Sequence, residues 1–174
     1  MKGSLLITLY ENLRWKTISP QGFREEMLAY LPNESNSLLF SMALSYLGDC
    51  QRIFPSDSRP LEQVLWKIVT TNPVSQHRLQ AFRLYRSIAD SEEAVQRLYT
   101  LWQERKAPKD CTLSESDYIG LSYMLAMHLP EKADKIIATQ LSRIQNPDRK
   151  KEYQFISHPY RPVKRNVTVS SLPC

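Results

Sequence analysis

Apolar side chains recur every three or four residues along most of this chain, and polar or charged side chains fill the positions between them. A period of about 3.6 residues is typical of helices that bury one face. The apolar stripes occupy residues 5–13, 23–31, 38–50, 61–69, 79–88, 95–102, 118–129, 133–144 and 147–155. The pattern therefore predicts an all-α protein of about nine amphipathic helices.

Short capping motifs set the predicted helix starts. Ser19-Pro20 matches an N-cap followed by proline at the first helical position. Two further pairs have the three-residue spacing of a capping box, Asp90 with Glu93 and Thr112 with Glu115. Prolines predict three further starts, at Asn72-Pro73, Pro130-Glu131 and Asn146-Pro147.

The links between the predicted helices are short, which favours antiparallel packing of neighbours. Such a series is typical of a superhelical array of antiparallel helical hairpins, an α-solenoid of the HEAT or armadillo (ARM) kind. The sequence has no fixed repeat period, which argues against tetratricopeptide and ankyrin repeats. We expect one helical domain over residues 1–157 and an irregular, poorly ordered basic tail over residues 158–174, which contains three prolines.

Composition and charge argue against several classes of protein. Hydrophobic residues make up 42% of the 174 residues and charged residues 24%, which indicates a globular protein. The four glycines are scattered, which argues against a P-loop or a dinucleotide-binding fingerprint. The net charge of +5 is too mild to predict a nucleic-acid partner. Since no apolar run reaches about 18 residues, we expect no membrane span.

Few residues offer metal or nucleophile chemistry. The three histidines, His77, His128 and His158, and the three cysteines lack the spacing of zinc ligands, so we expect no metal site in this chain. His77 lies in the first turn of a predicted helix and is expected to face solvent, whereas His128 is expected to end a helix. Cys50 lies on an apolar stripe and is predicted to be buried, and Cys111 lies in a predicted loop.

The aromatic side chains favour core packing over base stacking. Most lie on the apolar stripes, including Trp15, Trp66, Trp102, Tyr46 and Tyr85.

The basic run Arg149-Lys150-Lys151 follows the last predicted helix start. Such runs most often form a solvated helix face, and the alternative is a binding site for a carboxylate or phosphate.

Several short segments, in this order and spacing, resemble the C-terminal helical region of bacterial M1-family zinc aminopeptidases of the aminopeptidase N type. The resemblance covers roughly residues 3–157. It is carried by Leu9-Tyr10-Glu11-Asn12, Ile18-Ser19-Pro20, Glu34-Ser35-Asn36, Ala43-Leu44-Ser45-Tyr46-Leu47, Leu65-Trp66, Arg83-Leu84-Tyr85-Arg86, Leu98-Tyr99-Thr100-Leu101-Trp102, Leu113-Ser114-Glu115-Ser116-Asp117-Tyr118 and Asn146-Pro147-Asp148-Arg149.

The resemblance implies a role in removing N-terminal residues from peptides. In that family a preceding catalytic domain binds zinc through H-E-x-x-H and grips the substrate amino group through G-x-M-E-N, and neither motif is present in this sequence. The helical region closes over the cleft and limits access to it. The implied partners are the catalytic domain and, in the full-length enzyme, the peptide substrate. Arg149 and Lys150 are weak candidates for lining the substrate cavity.

The resemblance also implies that this chain alone is inactive and contains no zinc. The sequence departs from the family after Phe155-Ile156-Ser157, and a truncated or frame-shifted gene is the expected explanation. A bacterial cytoplasmic and a periplasmic location both stay open. Two alternative functions remain: an independent HEAT-type scaffold that binds a protein on its concave face, and a helical array that binds nucleic acid through the +5 charge.

Overall fold

The computed structural model describes residues 2–157, which form nine α-helices, two single 3₁₀ turns and no β-strand. The helices are α1 (Lys2–Arg14), α2 (Pro20–Tyr30), α3 (Ser37–Ile53), α4 (Arg59–Thr71), α5 (Ser75–Ile88), α6 (Glu92–Glu104), α7 (Glu115–His128), α8 (Ala133–Arg143) and α9 (Pro147–Ser157). The predictions of an all-α chain and of about nine helices are confirmed. The tail predicted over residues 158–174, and His158 with it, lie outside the described residues.

The helix starts agree with the capping motifs in some places and differ in others. Ser19 caps α2 as predicted, since its Oγ atom accepts the Gly22 N–H at 3.0 Å and Pro20 takes the first helical position. The helix after Asn72-Pro73 begins later than predicted, at Ser75. The reason is local, because the Asn72 side chain accepts the Val74 N–H at 2.9 Å and holds a turn there.

Both predicted capping boxes are wrong in position. The N-cap of α6 is Ser91 and not Asp90, because the backbone N–H groups of Asp90 and Ser91 both bind the Glu62 carboxylate. The N-cap of α7 is Ser114 and not Thr112. Its capping box is completed by Asp117.

The core lies where helices that follow one another in the chain pack together, as α4 does with α5, α6 with α7, and α7 with α8. Helix α5 also packs against α3 and α7. The largest fully buried side chains include Phe23, Phe40, Phe82, Tyr85 and Tyr153. Each such side chain contributes about 1.5–3 kcal/mol on burial. Among the described residues, no helix is long and apolar enough to cross a membrane.

The apolar stripes predict that the aromatic residues pack in the core, but only some of them are buried. Tyr85 and Trp102 are buried, whereas Trp66 and Tyr46 pack at the edge of the core. For Trp15 the prediction of core packing is wrong, since its exposed fraction is 79%. Because α1 ends at Arg14, Trp15 lies beyond the helix and is not carried on its buried face.

Candidate functional site

An open groove of about 650 Å³ runs between α3 and α5. This α3–α5 groove is lined by Ser41, Leu44, Ser45, Gly48, Asp49, Gln51 and Arg52 from α3 and by Gln80, Arg83, Leu84, Ser87 and Ile88 from α5. The two helices approach closely at Gly48, where a Cβ atom would lie 3.0 Å from Leu84 Cδ1. The absent side chain at Gly48 thus lets apolar side chains form the floor of the groove.

Several polar side chains that line the α3–α5 groove bind their neighbours in the fold. Arg52 pairs with Asp49 at 2.5 Å, and Asp49 also accepts the Tyr10 hydroxyl at 3.4 Å. Burial, together with the nearby Asp49 carboxylate, raises the pKa of Tyr10. The Gln51 Oε1 atom accepts the Arg24 Nε–H at 3.1 Å. These contacts make the rim a structured surface.

Asp117 is a buried carboxylate that joins α5 to α7. Its oxygens accept Arg83 Nε–H at 2.9 Å and Arg83 Nη2–H at 3.1 Å, and Ser114 donates both its N–H and its hydroxyl. Burial acts to raise the pKa of Asp117, but the hydrogen bonds from Arg83 and Ser114 outweigh it and hold that pKa below its ordinary value. The ionised carboxylate therefore links α5 to α7 through its hydrogen bonds with Arg83.

Arg86 completes this network from the other side. Its Nη1 atom lies 3.7 Å from the Asp117 carboxylate and donates to the Asp117 carbonyl oxygen at 3.1 Å. A Cβ atom on Gly120 would lie 2.7 Å from the same nitrogen. The glycine leaves the space in which the guanidinium rests.

Glu62 is a second buried carboxylate, and it joins α4 to the start of α6. Ser58 Oγ–H donates to it at 2.7 Å, the Asp90 N–H at 2.8 Å and the Ser91 N–H at 3.1 Å, and the Ser91 hydroxyl donates to the other oxygen. Burial acts to raise the pKa of Glu62, but these four donors outweigh it and lower the pKa. A carboxylate held ionised in this way is poorly suited to general-acid work.

The prediction that His77 faces solvent is wrong. Its side chain is fully buried, with the ring stacked on Phe40 at a centroid distance of 4.1 Å and Nε2 at 2.9 Å from Ser37 Oγ. Nδ1 has no hydrogen-bond partner among the described residues. Burial lowers the pKa of His77, and the Glu34 carboxylate opposes that shift. The first turns of α3 and α5 pack together here, which the sequence of one helix does not show.

Glu34 sits beside the same helix start. It accepts the Tyr30 hydroxyl, and its Oε1 atom accepts the Asn36 N–H at 2.7 Å. These hydrogen bonds lower the pKa of Glu34, whereas burial and the same hydrogen bond raise the pKa of Tyr30 to about 12. The carboxylate therefore fixes the turn that precedes α3.

The two cysteines within residues 2–157, Cys50 and Cys111, show no sign of activation. Cys50 is fully buried, as predicted, and burial raises the pKa of its thiol. Cys111 lies in the loop before α7, and burial raises its pKa as well. Reactive cysteines need a lowered pKa, so neither thiol has the environment of a nucleophile.

Arg149 and Lys150, the two residues proposed from the resemblance to line the substrate cavity, are neighbours in α9. Arg149 pairs with Glu115 at 3.3 Å and lines a cavity of about 210 Å³ between α7 and α9. Hydrogen bonds from the Gln145 backbone and from Arg149 lower the pKa of Glu115 against the opposing effect of burial. Lys150 does not line this cavity.

A second groove, between α4 and α6, has no counterpart in the sequence-based prediction. Trp66 and Arg97 line it, with the Arg97 guanidinium carbon 4.7 Å from the centroid of the Trp66 ring. The spacing of Glu93 and Arg97 suggests an ion pair on one helix, but the contact with Trp66 spans two helices. Sequence periodicity carries no signal for that contact.

The described residues form binding surfaces more clearly than a reaction centre. Within residues 2–157, no group of three or more His, Cys, Asp or Glu side chains is placed to hold a metal ion. Comparison of the chain with models of protein families, with curated proteins and with solved structures finds no match.

Proposed function

We propose that this chain is the helical, substrate-access portion of an M1-type zinc aminopeptidase, an enzyme that removes N-terminal residues from peptides. The observation that carries the proposal is the ordered series of resembling segments. Several of these segments build helix starts: Ser19 caps α2, Ser114 caps α7, and Asn146 accepts the Asp148 and Arg149 N–H groups at 3.0 and 3.1 Å. The resembling segments therefore include residues that fix where helices begin.

The proposal includes a superhelical array of antiparallel helical hairpins, an α-solenoid of the HEAT or ARM kind. Packing between helices adjacent in the chain supports it, because α4 contacts α5, α7 contacts α8, and α8 contacts α9. In the assembled enzyme this array covers the cleft of the catalytic domain, which supplies the zinc. Arg149, which is 47% exposed at its side chain, and the neighbouring Lys150 would face the peptide from the array.

A reconstitution experiment tests this proposal. The purified chain alone is expected to release no chromophore from aminoacyl chromogenic substrates, because zinc hydrolysis needs a metal-bound water and a neighbouring base. Mixed with a separately expressed, zinc-loaded M1 catalytic domain, it is expected to form a complex in sedimentation velocity and to change the KM for a tripeptide.

Arg149→Ala is expected to raise that KM, with Lys151→Ala as the matched control. Chelator-sensitive turnover by the chain alone, or no complex with the catalytic domain, would contradict the proposal.

The second candidate is an independent HEAT-type protein-interaction scaffold. The α3–α5 groove favours it, because the groove combines an apolar floor with a structured polar rim and lies open on the surface. A chain that stays monomeric at high concentration, binds no hydrophobic dye and ignores the catalytic domain would favour the scaffold.

A further inference from the structure

Two adjoining cavities, of about 300 and 470 Å³, share Trp66 and Arg97 and together form one groove, the α4–α6 groove. Helix α4 lines it with Arg59, Gln63, Trp66 and Thr70, and α6 with Glu93, Arg97, Thr100 and Glu104. On both helices these residues follow the spacing of a single face. From Arg59 to Thr70, and from Glu93 to Glu104, there are eleven residue steps of helix, or about 16 Å, which is the length of about five residues of extended peptide.

The centre of the α4–α6 groove is held in place without a ligand. The Trp66 and Tyr85 ring centroids lie 5.2 Å apart, and the Arg97 guanidinium carbon lies 4.7 Å from the centroid of the Trp66 ring. Arg97 Nη1–H donates to the Tyr85 hydroxyl at 2.9 Å, and Nη2–H donates to Glu93 at 2.5 Å. Tryptophan and arginine held in this way are the side chains that most often dominate binding energy.

The charge of the groove favours an anionic partner. Four basic residues line it, but Arg59 pairs with Asp57 at 2.8 Å and Arg97 with Glu93, so the lining cations outside these pairs are Lys106 and Lys109. Of the three acidic lining residues, Glu62 is buried and receives four hydrogen bonds, and Glu93 pairs with Arg97. At one end, Leu101, Ala107 and Pro108 add apolar surface beside the exposed Lys106 and Lys109.

We propose that the α4–α6 groove binds an extended acidic segment of a protein partner, about five residues long and with apolar side chains between its carboxylates. One apolar side chain packs on Trp66, and the carboxylates pair with Lys106 and Lys109. A polypeptide fits better than a nucleic acid, because the lining cations outside ion pairs, Lys106 and Lys109, lie together at one end of the groove and do not follow it as a line of phosphates requires. This site is separate from the one invoked for the aminopeptidase role.

The test uses a fluorescein-labelled, end-blocked pentapeptide that alternates glutamate and leucine, with binding to the whole chain measured by fluorescence anisotropy. Wild-type chain is expected to bind it saturably, and the double variant Lys106→Glu/Lys109→Glu about tenfold more weakly, since each removed charge pair also becomes a repulsion. The matched control, Lys135→Glu/Lys151→Glu, changes the net charge equally at exposed positions on α8 and α9 that do not line the groove. It is expected to change the affinity less than about twofold.

A second measurement depends less on charge. Peptide binding is expected to change the tryptophan fluorescence of wild-type chain and of Trp15→Phe, and to leave that of Trp66→Phe unchanged, with circular dichroism confirming that each variant is folded. The proposal is overturned by the absence of saturable binding, by equal loss in both double lysine variants, by equal affinity for a lysine–leucine peptide, or by displacement with a single-stranded oligonucleotide at equal potency. None of these outcomes depends on the catalytic domain, so failure here is distinguishable from failure of the aminopeptidase proposal.

Discussion

Three carboxylates in the described part of the chain are buried, those of Glu34, Glu62 and Asp117. Two of them join distant segments, since Glu62 binds groups 28 and 29 residues away and Asp117 binds Arg83, 34 residues away. The folded-state pKa of each carboxylate is lowered, so each one stabilises the fold at any pH above its ordinary pKa. That contribution is lost as the pH falls through the ordinary pKa and then through the lowered one. At this scale the fold depends on ionised groups inside it.

His77 adds a different pH dependence at higher pH. Because its folded-state pKa lies below the ordinary value of 6.5, the unfolded chain takes up the proton first as the pH falls. The free energy of unfolding is therefore expected to decrease between pH 7.5 and pH 5.5, by no more than about 1.4 kcal/mol per pH unit for one proton. Urea unfolding at several pH values measures this.

His77→Phe is the control, because a phenyl ring keeps the stacking on Phe40 and cannot titrate. Its free energy of unfolding is expected to stay nearly constant over the same range. Equal slopes for the variant and the wild type would show that His77 is not the group responsible. The carboxylates do not interfere, since their ordinary values are 4.5 and 3.8.

At the scale of elements, the starts of α6 and α7 show how tertiary contacts choose among neighbouring caps. Asp90, Ser91, Thr112 and Ser114 are all good N-cap residues by type. The serines were selected because the chain beside each of them is held by a carboxylate of the core, Glu62 for α6 and Asp117 for α7.

A pair of variants at the start of α7 measures this choice. Ser114→Ala is expected to lower the free energy of unfolding by about 1 kcal/mol, since the Asp117 N–H loses its acceptor and the Asp117 carboxylate loses a donor. Thr112→Ala is expected to cost less than about 0.5 kcal/mol, as for an exposed loop position. Chemical denaturation compares them, and a larger loss for Thr112→Ala would place the cap where the sequence pattern predicted it.

On the scale of the whole molecule, apolar side chains are exposed on both the first and the last helix. The exposed fraction is 65% for Leu5, 48% for Ile7, 84% for Phe155 and 42% for Ile156. Apolar side chains exposed in a cluster mark contact sites or promote association. It also suits the proposed function, in which other parts of an enzyme cover the array.

We expect the chain to bind a hydrophobic dye and to self-associate with rising concentration. Leu5→Glu/Phe155→Glu is expected to reduce both effects without loss of stability, because both side chains are largely exposed. The control variant Ile53→Glu/Met127→Glu changes two other largely exposed apolar residues, on α3 and α7, and is expected to keep the self-association. Dye fluorescence and sedimentation velocity measure the two effects, and a concentration-independent monomer for wild-type chain would disprove the expectation.

The sequence by itself determined the all-α character, the approximate number and ends of the helices, the cap at Ser19 and the burial of Cys50. These features follow from local rules. Apolar periodicity reports which face of a helix avoids water, and a proline or a capping side chain acts on residues within one turn.

Tertiary packing alone sets the burial of His77, the exposure of Trp15, the choice of Ser91 and Ser114 as caps, and the two grooves. Each of these features depends on which helix covers a given face, and on which charged group from a distant segment arrives beside it. A contact across dozens of residues leaves no periodic trace in either segment, because its energy is realised only when both helices are already in place.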